Sequence, residues 1–145
     1  MVGALALLAL GDAPAQTPNI AAQEPGRALP MPWLRLDFSR GSLVLSGAVP
    51  SPGERDAVVA WACSTYGSGR VVSSLAVAEV ANPSWLHTAY LPDLRPTRHA
   101  VALLSDAGLV IEGAAPDRKQ IAVVARSTER ALVDGLRVVN RLVAP

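Results

Sequence analysis

Apolar and polar residues alternate in the first patterned segment of the chain, 33–38. The apolar positions are Leu34, Leu36 and Phe38, and the polar positions between them are Arg35 and Asp37. A period of two residues is typical of a strand that buries one face. The turn-like sequence Ser-Arg-Gly-Ser follows at 39–42, and a second apolar segment occupies 43–47. We therefore predict a β-hairpin over 33–47.

A helical pattern follows the hairpin. From Pro52 onward, apolar positions recur at the spacing of one helix face, and they are Val58, Val59, Trp61, Ala62 and Tyr66. Ser51 stands before the proline and Glu54 three residues later, which is the signature of a capping box. Glycines at 67 and 69 end the predicted helix near Tyr66, and a strand is expected at 71–77.

The second half of the chain shows the same order of patterns. Strands are predicted at 100–104 and 109–113, on either side of the turn Ser-Asp-Ala-Gly at 105–108. Asp117, with Gln120 three residues later, is the expected start of a helix. Its predicted buried side consists of Ile121, Val124, Ala125, Thr128 and Leu132. Gly135 suits the left-handed position after the last turn, and a strand at 138–143 follows.

The two halves also share sequence. Leu-Val-Leu-Ser-Gly-Ala-Val-Pro at 43–50 returns as Leu-Val-Ile-Glu-Gly-Ala-Ala-Pro at 109–116. We interpret the chain as one β-β-α-β unit present twice, at 33–80 and 99–145, with a linker and short helix at 81–98. The strand after each helix is expected to return parallel to a hairpin strand. The predicted fold class is α/β (α+β), with small mixed sheets covered by helices.

The first 32 residues differ from the rest. Residues 2–10 are almost wholly apolar, and the small-x-small sequence Ala-Pro-Ala follows at 13–15, as in a secretory signal. The run is shorter than the about 20 residues that cross a bilayer. No Lys or Arg precedes Arg27, so the positive start of a signal is missing. We expect a signal-like segment and a disordered leader at 1–32, and the alternative is a cytoplasmic protein with an apolar tail.

Composition excludes several classes of function. Half of the residues are hydrophobic, 17% are charged and the net charge is +1, so no large basic field attracts nucleic acid. Cys63 is the single cysteine, which excludes an intrachain disulfide and a multi-cysteine metal site. It falls within the first helical pattern, where a small buried side chain is expected.

Neither histidine belongs to a recognisable catalytic or metal-binding pattern. His87 and His99 are separated by a proline-interrupted segment, with no acid or cysteine at ligand spacing. No nucleophile motif accompanies them, so we predict two exposed histidines, no metal, no cofactor and no enzyme activity. A hydrolase of unrecognised type is the remote alternative, and it would place a histidine in a cleft with an acid or a serine.

Two sets of residues are candidates for binding. Basic side chains on the second helix would suit an anionic headgroup, and they are Arg118, Lys119, Arg126 and Arg130. An ordinary solvated helix face is the alternative. Trp61 corresponds to Ser127 of the second half, and Trp85 follows Asn82, where the linker helix is expected to begin. Both tryptophans are predicted at the sheet or between the halves, and membrane insertion of Trp61 is the alternative.

A glycine-ended strand, a proline before a capped helix and a closing Val-Val-x-x-Leu strand occur in each half. This pattern resembles the BON domain, a module named for bacterial osmotically inducible and nodulation proteins. The residues of the motif are Gly47, Pro50, Gly113 and Pro116. The resemblance spans 33–143 and implies an exported tandem BON protein of the periplasm or cell envelope, similar to the BON region of OmpA-like envelope proteins. BON modules are thought to bind phospholipid or to mediate association at the membrane, and the resemblance supplies no catalytic residue.

The sequence therefore predicts a non-enzymatic cell-envelope module that binds an anionic phospholipid surface or an envelope protein. The alternative is a structural or protein-interaction spacer of a larger OmpA-like protein, without lipid affinity. Salt-sensitive binding to anionic liposomes distinguishes the two predictions.

Overall fold

The structure, a computed structural model, describes residues 29–145, which form one six-stranded mixed sheet with helices on one face. The strands are β1 (Trp33–Ser39), β2 (Ser42–Val49), β3 (Val71–Val77), β4 (His99–Ser105), β5 (Gly108–Ala114) and β6 (Val138–Val143). The helices are α1 (Pro52–Tyr66), α2 (Arg118–Ser127) and α3 (Glu129–Val133), with short 3-10 turns at Ser68–Arg70 and Thr88–Tyr90. The signal-like run at 2–10 and the Ala-Pro-Ala sequence at 13–15 lie outside the described residues.

The sheet order is β3-β2-β1-β4-β5-β6, which leaves β3 and β6 at the edges. In each half the hairpin strands are antiparallel, and the strand after the helix returns parallel to the second hairpin strand. The halves join through antiparallel pairing of β1 with β4, where Leu36 lies opposite Ala102. The predicted α+β class is confirmed, and the small mixed sheets of the two halves join edge to edge into one continuous sheet, an arrangement that the sequence left open. The common origin of the two halves stays a prediction.

The core lies between the helices and one face of this sheet. Alternate residues of the four inner strands are buried there, namely Leu34, Leu36, Phe38, Leu43, Leu45, Ala100, Ala102, Leu104, Leu109 and Ile111. Helix α1 covers them with Val58, Ala62 and Tyr66, and α2 covers them with Val124. Because β1 and β4 are adjacent, the apolar rows of both halves merge into one surface under the helices.

Gly47 and Gly113 allow two backbones to approach closely in each hairpin. Their φ angles are 142° and 147°, which L side chains rarely adopt. A Cβ at Gly47 would lie 2.1 Å from the Trp33 carbonyl oxygen, and one at Gly113 would lie 2.2 Å from that of His99. Glycine is therefore required at both positions for a structural reason. Each shared motif ends with a proline in the connection from strand to helix, Pro50 or Pro116.

Helix α1 begins and ends at the residues that its sequence predicts. The Ser51 hydroxyl oxygen accepts the Glu54 N–H at 3.2 Å, and the hydroxyl donates to the Glu54 carboxylate. Such a cap satisfies a backbone donor that the first turn leaves free. At the other end, Gly67 adopts a φ of 99° and its N–H donates to the Cys63 carbonyl at 3.0 Å. Local chemistry therefore sets both ends.

The second helical segment is interrupted, although its start is also as predicted. Asp117 caps α2 and accepts the Gln120 N–H at 2.9 Å. Helix α2 ends at Ser127, where the chain reaches the buried Thr128. The Thr128 hydroxyl donates to the Ala125 carbonyl at 2.8 Å. Side-chain bonds of this kind compete with the regular helical pattern, and α3 follows as a separate short helix.

The buried residues of α2 and α3 lie on one narrow face centred near Val124. At about 100° per residue, Thr128 and Ala131 lie within about 40° of Val124, whereas Ala125 and Leu132 lie about 100° and about 80° away. Ala131 is buried, whereas Leu132 is 57% exposed. The prediction that Leu132 is buried is therefore wrong, and so is the same prediction for Ala125, which is exposed.

In place of the predicted helix from Asn82, the linker at 81–98 contains one hydrogen-bonded turn and, separately, a short 3-10 turn at Thr88–Tyr90. The Leu86 N–H donates to the Pro83 carbonyl at 3.1 Å and closes a single turn, after which the chain extends. At Thr88–Tyr90 a second turn begins, and there the His87 Nδ1 accepts the Ala89 N–H at 3.0 Å. The predicted start of a helix at Asn82 is wrong, because no second turn continues the first.

Tyr66 attaches the linker to the core. Its hydroxyl donates to the Pro92 carbonyl at 3.2 Å and accepts the Leu94 N–H at 2.9 Å. The Tyr66 ring is 6% exposed and packs 5.7 Å from the Phe38 ring. Burial raises the pKa of Tyr66 above its usual range, so the hydroxyl remains a donor at neutral pH. The linker thus belongs to the folded body.

Candidate functional site

The predicted basic residues lie on the outer side of α2 and on α3. Arg118 and Lys119 stand in the first turn of α2, Arg126 in its last turn and Arg130 in α3, and all four side chains are exposed. At about 100° per residue, the three cations of α2 lie on the side opposite the buried Val124. Within residues 29–145, none of the four forms an ion pair with a carboxylate.

Two exposed aliphatic residues continue this surface at the end of α3. Leu132 is 57% exposed and Val133 is 84% exposed. They follow Arg130 in the chain after the buried Ala131, and they precede Arg137, which is also exposed. We call the set of Arg118, Lys119, Arg126, Arg130, Leu132 and Val133 the basic surface. Its four cations are the ones that the sequence predicted. Leu132 was instead predicted to be buried, and no prediction was made for Val133.

The basic surface has no counterpart in the first half of the chain. The residues 66 positions earlier than its four cations are Pro52, Gly53, Ala60 and Ser64. Among the exposed charges of α1, Arg55 is already paired with Asp56 at 3.2 Å. The asymmetry means that the cations are not a requirement of the shared fold, since α1 forms without them.

Acidic residues reduce the charge of this region without cancelling it. Five cations and three carboxylates stand between Asp117 and Arg137, a balance of +2. The Asp117 carboxylate is engaged in capping α2, and the Asp134 carboxylate accepts the Tyr90 hydroxyl at 3.2 Å. Burial and the Asp134 hydrogen bond raise the pKa of Tyr90. The excess positive charge is therefore carried by α2 and the segment that follows it.

Both candidate tryptophans pack against the protein. Trp61 is half-buried beside the core, and its ring meets the Tyr66 ring edge-on with centroids 5.8 Å apart. Trp85 is half-buried beside the buried Leu86 and lines a cleft of about 530 Å³. Neither side chain projects from the surface in the manner of Val133.

The cleft beside Trp85 has a lining of mixed charge. Its polar groups include the carboxylates of Asp106 and Asp134 and the guanidinium of Arg137, and Tyr90 of the linker also lines it. Two carboxylates against one cation do not favour an anionic ligand. The cleft therefore adds no anion site to the basic surface that lies beside it in the chain.

The histidines do not form a catalytic arrangement with the groups near them. His87 lines a pocket of about 200 Å³ together with Glu54, whose carboxylate accepts the Ser51 hydroxyl. A triad requires the histidine to lie between serine and acid, whereas here serine and acid contact each other as a helix cap. His99 is exposed on β4, and in the described part of the chain no three metal-ligating side chains converge.

The opposite face of the sheet was not recognised in the sequence as a surface. Its side chains alternate with the core residues and include Trp33 at 40% exposure, Val44 at 42% and Leu103 at 38%. A shallow depression of about 230 Å³ there is bordered by Arg35 and Glu112. The sequence did contain a signal for this face, because every second side chain of an alternating strand points away from the core. No helix of the described residues covers this face, which we call the open face.

Comparison with known proteins does not assign a family. No family model matches the chain, and no curated protein is significantly similar to it in sequence. The resemblance to the BON domain therefore stays a prediction. Within residues 29–145, every helix is too short or too polar to cross a bilayer.

Proposed function

We propose that this protein is a non-enzymatic module that binds anionic phospholipid surfaces through its basic surface. The observation that carries the proposal is the exposure of Leu132 and Val133 at the end of α3, next in the chain to α2, with cations on both helices that lack carboxylate partners in the described residues. Aliphatic side chains beside cations are the combination by which helices bind membrane interfaces. The resemblance of both halves to the BON domain supports the same role and an exported, envelope location.

The magnitudes indicate weak and reversible binding. Each Lys or Arg near an anionic membrane contributes about 1 kcal/mol, so four cations supply at most about 4 kcal/mol before the nearby carboxylates are counted. Partial burial of Leu132 and Val133 adds about 1 kcal/mol each, on the usual scale for apolar area. Salt screens the first contribution and leaves the second. Binding should therefore fall with ionic strength and retain a smaller salt-resistant part.

Co-sedimentation with liposomes tests the proposal. Wild-type protein should bind phosphatidylglycerol vesicles at low salt and bind pure phosphatidylcholine vesicles weakly. Arg118→Glu with Lys119→Glu should abolish the salt-sensitive part, because two attractive charges become repulsive. Leu132→Ser with Val133→Ser should weaken binding by about thirtyfold at constant salt dependence.

A charge-matched control separates the basic surface from net charge. Arg35→Glu with Arg40→Glu makes the same charge change on exposed residues of β1 and its turn, and should leave most of the binding intact. No binding of the wild type at low salt, or equal losses in both charge-reversal variants, would refute the proposal.

A protein-interaction spacer is the second candidate function. The open face favours it, because Trp33, Val44 and Leu103 expose apolar area across adjacent strands and β1 joins the two halves there. This function predicts no liposome binding and unchanged behaviour of the Leu132→Ser, Val133→Ser variant. Under the same function, Val44→Lys should abolish capture of a partner from an envelope extract.

A further inference from the structure

The two edge strands of the sheet differ in how their outer edges are protected. In the part of the chain that the structure describes, no strand pairs with the outer edge of β3 or of β6. An exposed edge presents free backbone donors and acceptors to any other strand. Folded proteins usually block such an edge with charged residues, prolines, bulges or a covering segment.

The outer edge of β6 carries two of these protections. Arg141 places a charge in the middle of the strand and pairs with Glu112 at 3.0 Å. The Asn140 side-chain oxygen accepts the Leu142 N–H at 3.0 Å, so one outward donor is already satisfied. A further strand would have to displace this bond and accommodate the guanidinium.

The outer edge of β3 has neither. The strand Val-Val-Ser-Ser-Leu-Ala-Val contains no charge, proline or glycine. Ser73 stands where the second half has Asn140, and its hydroxyl receives the Leu75 N–H only at 3.4 Å, the outer limit of a hydrogen bond. Val72 is 59% exposed and Val77 is 41% exposed. This strand lies at the edge of the sheet but has the composition of an interior strand.

The direction of the backbone groups identifies the free ones. The Ala78 N–H donates to the Val49 carbonyl of β2 at 2.9 Å. Backbone groups alternate in direction along a strand, so even-numbered residues of β3 face β2 and odd-numbered residues face outward. The outward residues are Val71, Ser73, Leu75 and Val77.

An antiparallel copy of β3 fits this edge with Ser74 on the twofold axis. Outward residues then meet outward residues, Val71 opposite Val77 and Ser73 opposite Leu75 of the second copy, with about eight backbone hydrogen bonds. No charged side chain faces another within the strand. Just beyond its ends, the register places Arg70 opposite Ala78 of the second copy and Glu79 opposite Gly69, so like charges do not face each other there either.

We propose that β3 is a self-association edge, at which two copies of this chain pair antiparallel about Ser74 and join their sheets. The second copy is favoured over another protein because, in this register, the uncharged strand pairs with itself and no like charges face each other at its ends. A twofold interface of this kind closes and does not propagate. Within residues 29–145, the protected β6 edge offers no second site of the same kind.

Disulfide trapping in the full chain tests this register. Cys63→Ser removes the native thiol, and Ser74→Cys then places one thiol per copy on the axis. Residues opposite each other without mutual hydrogen bonds have Cα atoms about 4.5 Å apart, which a disulfide can span. Arg141→Cys in the same background is the matched control on β6. The Ser74 variant should cross-link under mild oxidation at least about tenfold faster than the control.

Sedimentation velocity supplies the second measurement. The wild type should approach twice its 15.1 kDa mass at high concentration, and Ser74→Lys, an exposed substitution, should return it to the monomer because two lysines would face each other. A monomer at every concentration, equal cross-linking in both cysteine variants, or a dimer unaffected by Ser74→Lys would overturn the proposal. None of these results depends on liposome binding.

Discussion

Replacement of Tyr66 by phenylalanine tests whether one hydroxyl holds the linker to the sheet. The substitution keeps the ring beside Phe38 and removes only the oxygen. That oxygen is the hydrogen-bond partner of the Leu94 N–H at 2.9 Å and of the Pro92 carbonyl at 3.2 Å, and both Pro92 and Leu94 are fully buried. After the substitution, a backbone donor and a backbone acceptor remain in the interior without this partner.

The expected cost follows from the desolvation of those two groups. A buried polar group left unsatisfied costs about 1–3 kcal/mol, whereas the bond itself contributes about 1 kcal/mol. We therefore expect Tyr66→Phe to lower the free energy of unfolding by about 2–3 kcal/mol. For a domain of this size, that corresponds to a fall in Tm of about 6–15 °C.

Urea unfolding followed by tryptophan fluorescence measures the loss. Tyr90→Phe is the matched control, because its hydroxyl reaches Asp134 at 3.2 Å on the exposed surface. The control should lose less than about 0.5 kcal/mol, as exposed substitutions usually do. A Tyr66→Phe loss as small as that of the control would refute the view that this hydroxyl anchors the linker.

The pH dependence gives an independent check with a defined sign. Burial raises the pKa of Tyr66 in the folded protein above the unfolded value of about 10. As the pH rises past that value, the unfolded chain loses its proton first, so the wild type loses stability. Tyr66→Phe lacks this loss, and the difference between the two proteins should shrink above about pH 10. A constant difference up to pH 11 would contradict this reasoning.

Three further predictions concern single positions. In thermal unfolding, Gly113→Ala should destabilise the protein by more than about 3 kcal/mol, because the new Cβ would lie 2.2 Å from the facing backbone. Gly69→Ala is the control. A Cβ at Gly69 would have no atom within 4 Å, so this substitution should cost less than about 1 kcal/mol. Asp117→Ala removes the cap of α2 and should cost about 1 kcal/mol in urea unfolding, with Asp117→Asn close to wild type. Burial acts to raise the pKa of Asp93, but the hydrogen bonds and charge of Arg95 outweigh burial and lower this pKa. Asp93→Asn should therefore lower the free energy of unfolding by up to about 1 kcal/mol at pH 7. The difference in stability between this variant and the wild type should vanish as the pH falls through the lowered pKa.

The ends of α1 and the start of α2 were predictable because their signals are local. Ser51 and Asp117 each accept an N–H three residues later, and a bond of that range depends on little beyond neighbouring residues. The strands were predictable for a related reason. Alternating apolar residues specify which face of a strand is buried, whatever covers it. Even the glycines at 47 and 113 could be identified, although their function in close backbone packing became visible only in the register.

The basic surface shows where local signals end. Its four cations could be listed from the sequence, but the exposure of Leu132 could not, because Leu132 lies about 80° around the helix axis from the buried Val124, at the border of the apolar stripe, where packing decides its exposure. Thr128 is buried, and its hydroxyl bond to Ala125 interrupts the helix. Which residue of an interrupted helix reaches the core depends on the packing of the segments that follow, and this is a property of the whole fold.

The sequence by itself determined the strands, both ends of α1, the start of α2 and the side of each strand that is buried, because turns, caps and periodicity act over a few residues. Only the tertiary structure decided that β1 pairs with β4, that no helix of residues 29–145 covers one face of the joined sheet and that, among those residues, β3 lies at an edge without a partner strand. Each of these depends on which strands meet across long stretches of chain. A strand carries the same residues in the interior and at the edge of a sheet, and its neighbours alone decide which position it occupies.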